Sequence, residues 1–122
     1  MPSTIPYSFG DAVLVGFPFT NLQAAKKRPA VVISNTAYQQ NRPDVILMAI
    51  TSQIRQPPTF GEYLLKDWQQ AGLLKPSLIK PLIATLEQEQ IVKALGQLSP
   101  TDRQGLKSLL QTILVLQDIH YD

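Results

Sequence analysis

With 122 residues, 44% hydrophobic and 16% charged, the chain can build one compact core but not two ordinary domains, so residues 1–122 are read as a single domain. It has no cysteine, which excludes a disulfide scaffold, thiolate metal sites and cysteine catalysis, and its longest apolar run, Val45 to Ile50, is far below the roughly 20 residues that span a bilayer. The net charge of +2 neither demands nor excludes nucleic acid, because phosphate binding depends on a local basic surface rather than on the total.

The first predicted element is a strand from Ala12 to Phe17, preceded by a turn at Gly10-Asp11 and stopped by Pro18, which lacks a backbone donor. A loop is expected over Asn21 to Lys27, which has no apolar period. Ala30 to Ile33 then reads as a buried strand closed by the polar cluster Ser34-Asn35-Thr36. Val45 to Ile50 is a third strand, entered from Asn41-Arg42-Pro43-Asp44. Adjacent Pro57 and Pro58 make Gln53 to Gly61 a surface loop. Tyr63 to Leu65 follows as a short strand, Asp67 to Gly72 as a turn, and Leu78 to Leu86 as a strand broken or bulged at Pro81.

From Ser99 the pattern becomes helical. Ser99 is a good N-cap, Pro100 suits the first helical position, and Asp102 can close a capping box and complement the dipole. Leu106, Leu109, Leu110, Ile113, Leu114 and Leu116 follow at spacings of three and four, one apolar stripe running through to Gln117. Gly105 costs this helix about 1 kcal/mol against alanine, which the buried leucine face offsets. The expected fold class is α+β, mainly β, with a C-terminal amphipathic helix.

Standard catalytic motifs are missing: there is no Gly-rich phosphate loop, nucleophile elbow, metal-binding histidine pair or converging set of carboxylates. His120 is the single histidine, so a two-histidine ribonuclease mechanism is impossible within one chain. Glu87, Glu89, Asp67 and Asp11 read as solvated residues or local caps. What remains is basic and hydroxylic. Lys26-Lys27-Arg28 stands at the mouth of one buried strand and Thr51-Ser52-Gln53 at the end of another. An arginine fork beside a hydroxyl pair suits a phosphodiester: the guanidinium holds nonbridging oxygens and stabilises charge developing on phosphorus, while the hydroxyl donates to an oxygen. RNA brings its own nucleophile, the 2′-hydroxyl. The same residues also read as a solvated loop and a strand-closing turn, and residue type alone does not choose between the two.

Several blocks resemble, in order and spacing, the motifs of the PemK/MazF toxin family: Gly10 to Thr20, Lys27-Arg28-Pro29-Ala30 through Ser34, and Ile50-Thr51-Ser52-Gln53. Downstream, Asp67-Trp68 with Ala71-Gly72-Leu73, Lys75-Pro76-Ser77, and Ala84-Thr85-Leu86 resemble its later blocks. The resemblance implies a compact SH3-like barrel and the toxin half of a type II toxin–antitoxin pair. It also implies a homodimer and metal-independent cleavage of single-stranded RNA by 2′-hydroxyl attack, leaving a cyclic phosphate and a 5′-hydroxyl. Carried over by motif, the catalytic residues are Arg28 and Thr51, with Lys26, Lys27, Ser52, Gln53 and Phe19 as RNA contacts; no metal or other cofactor is expected. Phe17 alternates like a core residue, and Trp68 is read as a packing anchor. Lys27 stands where some members carry histidine, and a lysine is no neutral base unless strongly desolvated.

A protein of this kind would be cytoplasmic and need no membrane, in keeping with the absence of a basic, apolar leader. Its expected partners are single-stranded RNA, a cognate antitoxin whose disordered segment folds across the basic groove, and a second copy of itself. Two rivals stand beside this reading: a non-catalytic barrel of the CcdB kind that binds and poisons a protein, and an RNA-binding barrel without activity. Fold does not separate them; the Arg28 and Thr51 pairing, which a protein-binding poison does not need, favours the enzyme.

Overall fold

The structure is a computed structural model and describes residues 7–16 and 26–115. The described residues form β1 (Asp11–Gly16), β2 (Lys27–Val32), α1 (Thr36–Asn41), β3 (Asp44–Thr51), β4 (Tyr63–Leu64), β5 (Leu78–Glu87), β6 (Ile91–Gln97) and α2 (Pro100–Ile113). The strands make one antiparallel sheet in the order β4-β5-β3-β2-β1-β6. β4 and β6 are its two edges and do not pair with each other, so the expected barrel is a sheet that is not closed.

Both faces of the sheet are apolar. Val31, Met48 and Ile50 point to a cluster completed by Leu106, Leu109 and Leu110 of α2. Val13, Val15, Val32, Val45 and Leu47, the alternate residues of the same strands, form a second cluster. Burial on both sides is why these strands read as unbroken apolar runs rather than as alternation. Trp68 packs on the first cluster, as a packing anchor should.

β5 tolerates Pro81 through an irregularity: pairing with β3 runs from Glu87 to Ile83, lapses across Lys80-Pro81-Leu82 and resumes at Ile79. A residue without an N–H thus sits where no ladder bond is required. Two elements go beyond the sequence reading. Asn35, expected to close a strand, caps α1 by accepting the Tyr38 N–H at 2.8 Å. β6, whose Ile91 to Gln97 mixes apolar and polar residues without a period, pairs with β1 through two register shifts. α2 begins as expected, with the Ser99 hydroxyl accepting the Asp102 N–H at 3.1 Å. Its last helical residue is Ile113, with Leu114 as the C-cap; Leu116 and Gln117 lie outside the described residues. No helix of the described residues is long and apolar enough to cross a membrane.

Candidate functional site

A row of cross-strand neighbours sets up the site. Lys93 of β6 pairs with Leu14 of β1, Leu14 with Pro29 of β2, and Ile50 of β3 with Ile79 of β5. The β2–β3 ladder runs from Val32↔Leu47 to Ala30↔Ala49 and stops at Pro29, which has no N–H to donate. β2 begins at Lys27 and its antiparallel neighbour β3 ends at Thr51, so Arg28 and Thr51 lie at adjoining strand ends. Two residues 23 positions apart in the sequence therefore share one end of the sheet.

At this end lies a cavity of about 500 Å³. Leu14, Pro29, Ile50, Leu73 and Leu95 give it apolar surface. Arg28, Lys75 and Lys93 bring positive charge, and Thr51, Ser52, Gln53 and Ser77 bring hydroxyl and amide groups. None of the acidic residues that the structure describes lines it. The one ion pair among the described residues joins Arg42 to Asp44 at 3.1 Å, between α1 and β3. The cavity is thus locally cationic in a chain with a net charge of only +2, the arrangement that raises the local concentration of an anion.

Local hydrogen bonds orient the polar groups. The Thr51 Oγ1 accepts the Gln53 N–H at 3.1 Å, which occupies a lone pair and leaves the hydroxyl proton free to donate elsewhere. Ser77 is buried; its hydroxyl donates to the Lys75 carbonyl at 2.9 Å and its carbonyl accepts the Leu65 N–H at 3.0 Å. The wall made by Leu73, Leu74 and Lys75 is seated by Gly72, whose φ is +83° and whose Cα lies so close to Leu95 that a β-carbon would overlap the Leu95 carbonyl. Only glycine meets both demands.

Of the residues singled out by sequence, Arg28, Thr51, Ser52 and Gln53 come together around the cavity. Lys26 and Lys27 are exposed but do not line it, and Phe19, like Phe17, lies outside the described residues. Arg28 and Lys27 belong to β2 rather than to the preceding loop. Lys75, Ser77 and Lys93 were not anticipated as site residues. The Lys75-Pro76-Ser77 block carried a usable signal, whereas nothing in the sequence of β6 pointed to Lys93.

Chemically, the cavity offers a forked cation, two ammonium groups and hydroxyl donors over an apolar floor, a set suited to a phosphodiester with its attached bases. The described residues contain no group of three or more His, Cys, Asp or Glu that could hold a metal ion.

The sequence matches the family model of PemK-like, MazF-like toxins of type II toxin–antitoxin systems over residues 8–114. No curated protein sequence matches the chain. Among solved structures, the chain is similar to a mycobacterial endoribonuclease in complex with its cognate antitoxin, with a TM-score of 0.73, 18% identity and coverage of 93% of this chain and 99% of that one. It is similar to the MazE–MazF complex of Deinococcus radiodurans, with a TM-score of 0.71, 16% identity and coverage of 93% and 100%. It is also similar to the toxin MazF-mt6 of Mycobacterium tuberculosis, with a TM-score of 0.68, 15% identity and coverage of 89% and 99%. At these identities the likeness establishes the fold.

Proposed function

The chain belongs to the PemK-like, MazF-like family of toxins of type II toxin–antitoxin systems, and from that premise we propose that it is a cytoplasmic endoribonuclease cutting single-stranded RNA at this cavity. The observation that carries the reading is that Arg28 and Thr51, at adjoining ends of the antiparallel strands β2 and β3, line one cationic cavity. Solved structures of the same fold are an endoribonuclease bound to its cognate antitoxin and a MazE–MazF complex, which supports both the activity and the partner.

In this reading the substrate 2′-oxygen attacks the adjacent phosphorus, a P–O2′ bond forms, the P–O5′ bond breaks, and the products are a 2′,3′-cyclic phosphate and a 5′-hydroxyl. Arg28 holds two nonbridging oxygens through its fork and stabilises the charge that accumulates on them. Thr51 donates its free hydroxyl proton to a phosphate oxygen, with its own oxygen fixed by the Gln53 N–H. Ser52 and Gln53 contact the RNA in the cavity, Lys26 and Lys27 contact it outside, and Phe19 is a further RNA contact. Arg28 stays a cation throughout, and no carboxylate of the described residues lines the cavity, so water accepts the 2′ proton and supplies the proton that the departing 5′-oxygen takes up. The same donor set, without converging carboxylates, supports a reaction that needs no metal.

The cognate antitoxin would lay a disordered, acidic segment over the cationic cavity and fold as it binds. A second copy of the chain would cover exposed apolar side chains such as Phe60 and Val115, as expected for a small homodimer. The reading is tested by incubating purified protein with a long single-stranded RNA in excess EDTA, beside Arg28→Ala and Thr51→Ala, and identifying the product ends by mass. Discrete fragments ending in cyclic phosphate, lost in either variant, are the expected result. Intact RNA with the wild type, or cutting by both variants at the wild-type rate, overturns it.

A further inference from the structure

Two cations of the cavity have no part in the chemistry assigned to Arg28 and Thr51. Lys93 sits on β6, across β1 from the strand of Arg28, through the pair Leu14↔Lys93. Lys75 lies in the segment that leads into β5, three residues before Leu78, which pairs with Thr51. Both lysines are exposed and both line the cavity with Arg28 and Thr51, one from β6 and the other from the segment that leads into β5.

We propose that Lys93 and Lys75 hold the two phosphates on either side of the scissile one, so that RNA crosses the strands from β6 towards β5 with the scissile phosphate on Arg28. The inference rests on the reading of this cavity as an RNA-cutting site and adds the direction of the strand and the residues that fix it.

Three observations carry the proposal. The array of cations runs across the strands: two strand spacings, about 10 Å, separate the backbones of β6 and β2, and the flexible four-carbon stem of lysine lets its ammonium approach a neighbouring phosphate. The acidic residues of the described chain are all elsewhere, so neither lysine meets a carboxylate inside the cavity. Both lysines are also held in place through their backbones. Lys93 is fixed by its pairing in the β1–β6 ladder, and the Lys75 carbonyl accepts the hydroxyl of buried Ser77 at 2.9 Å. Point charges without a fork suit phosphates that must be held but not transformed.

The test measures binding of a mixed-sequence 2′-O-methyl oligoribonucleotide of about ten nucleotides, a length within the range that single-strand binders cover, by fluorescence anisotropy over a series of salt concentrations. The modified sugar removes the nucleophile, so binding is read without cleavage. Each phosphate contact on a single strand contributes about 0.7 to the slope of log affinity against log salt. Lys93→Gln and Lys75→Gln should each flatten the slope by about that amount, and the double variant by about 1.4. Lys107→Gln, whose ammonium lies 5.8 Å from the centre of the Phe9 ring, should keep the wild-type slope. If the wild type binds and both cavity variants keep its slope, the phosphate track is wrong and the cutting reading stands. If the slopes flatten but wild type leaves an unmodified RNA intact, the track stands and the cutting reading falls. If the wild type does not bind the oligonucleotide at all, both are overturned.

Discussion

The phenol of Tyr63 donates to the Asp102 Oδ1 at 2.7 Å, joining the short edge strand β4 to the first turn of α2. The same carboxylate, with no solvent exposure, accepts the Lys66 N–H at 3.0 Å and the Asp67 N–H at 2.8 Å. One buried side chain therefore fixes the helix to the segment that leads into the cavity wall. In Asp102→Ala two backbone donors lose their partner, at about 1–3 kcal/mol each, so urea denaturation should show a stability loss of about 3 kcal/mol. Asp102→Asn, which keeps one acceptor oxygen, should lose less. An alanine variant within 1 kcal/mol of wild type, on the order of a single ordinary hydrogen bond, would mean that water replaces the carboxylate.

Titration of Tyr63 gives this contact a pH signature. Burial, then the hydrogen bond to Asp102 and the charge of that carboxylate, push the phenol well above its ordinary value of 10. Above that pH the unfolded chain releases a proton that the folded chain keeps, so the folded state binds more protons and stability falls as pH rises. Below pH 10 the contribution is fully present. Unfolding free energies measured between neutral and strongly alkaline pH should therefore drop more steeply in wild type than in Tyr63→Phe. Parallel curves for the two proteins would refute the linkage.

Gly105 shows the same contact from the other side. A β-carbon there would overlap the Tyr63 ring, and the ring cannot move aside without leaving Asp102. Helix propensity alone predicts that Gly105→Ala gains about 1 kcal/mol; the packing predicts a loss instead. Thermal melts should show Gly105→Ala below wild type. In a Tyr63→Ala background the sign should reverse, because the obstacle is gone. A gain in both backgrounds would discard the packing explanation.

The glycine was visible in the sequence as a defect in a helix, but its reason was not, because Tyr63 is 42 residues away in the chain. The same limit governs the rest. α2 was legible because Ser99, Pro100 and the leucine stripe are local signals. β1, β2 and β3 were legible because strands buried on both faces are continuous apolar runs. β6 was not, since Lys93 and Gln97 interrupt a strand at the edge of the sheet, and with it Lys93 escaped notice. Asp102 was expected to close a capping box. Its backbone N–H does donate to the Ser99 cap, while its carboxylate turns to Tyr63 and the 66–67 backbone, a long-range choice that no local pattern encodes.

At the proposed reaction centre the Thr51 hydroxyl has two distinct duties: its oxygen accepts the Gln53 N–H and its proton is left for the substrate. Thr51→Ser preserves both and should keep most of the cleavage rate. Thr51→Val keeps the shape of the side chain and loses both, so kcat should fall by about 100-fold or more, the scale for removing one donor to a developing oxyanion. Single-turnover cleavage with saturating protein separates this from weaker RNA binding. Equal rates for the valine variant and wild type would remove Thr51 from the chemistry.

Gly72 joins stability to binding in a way that Lys75 does not. Its φ of +83° and its contact with the Leu95 carbonyl mean that Gly72→Ala meets both a left-handed backbone cost of about 1–2 kcal/mol and an overlap with β6. The wall of Leu73, Leu74 and Lys75 must then shift away from β6. The variant should unfold at lower urea concentration than wild type and bind single-stranded RNA more weakly. Lys75→Gln, a surface change on the same wall, should weaken binding alone. The contrast is diagnostic: if Gly72→Ala loses stability yet binds RNA as tightly as wild type, the wall is only part of the fold and RNA does not pass beside it.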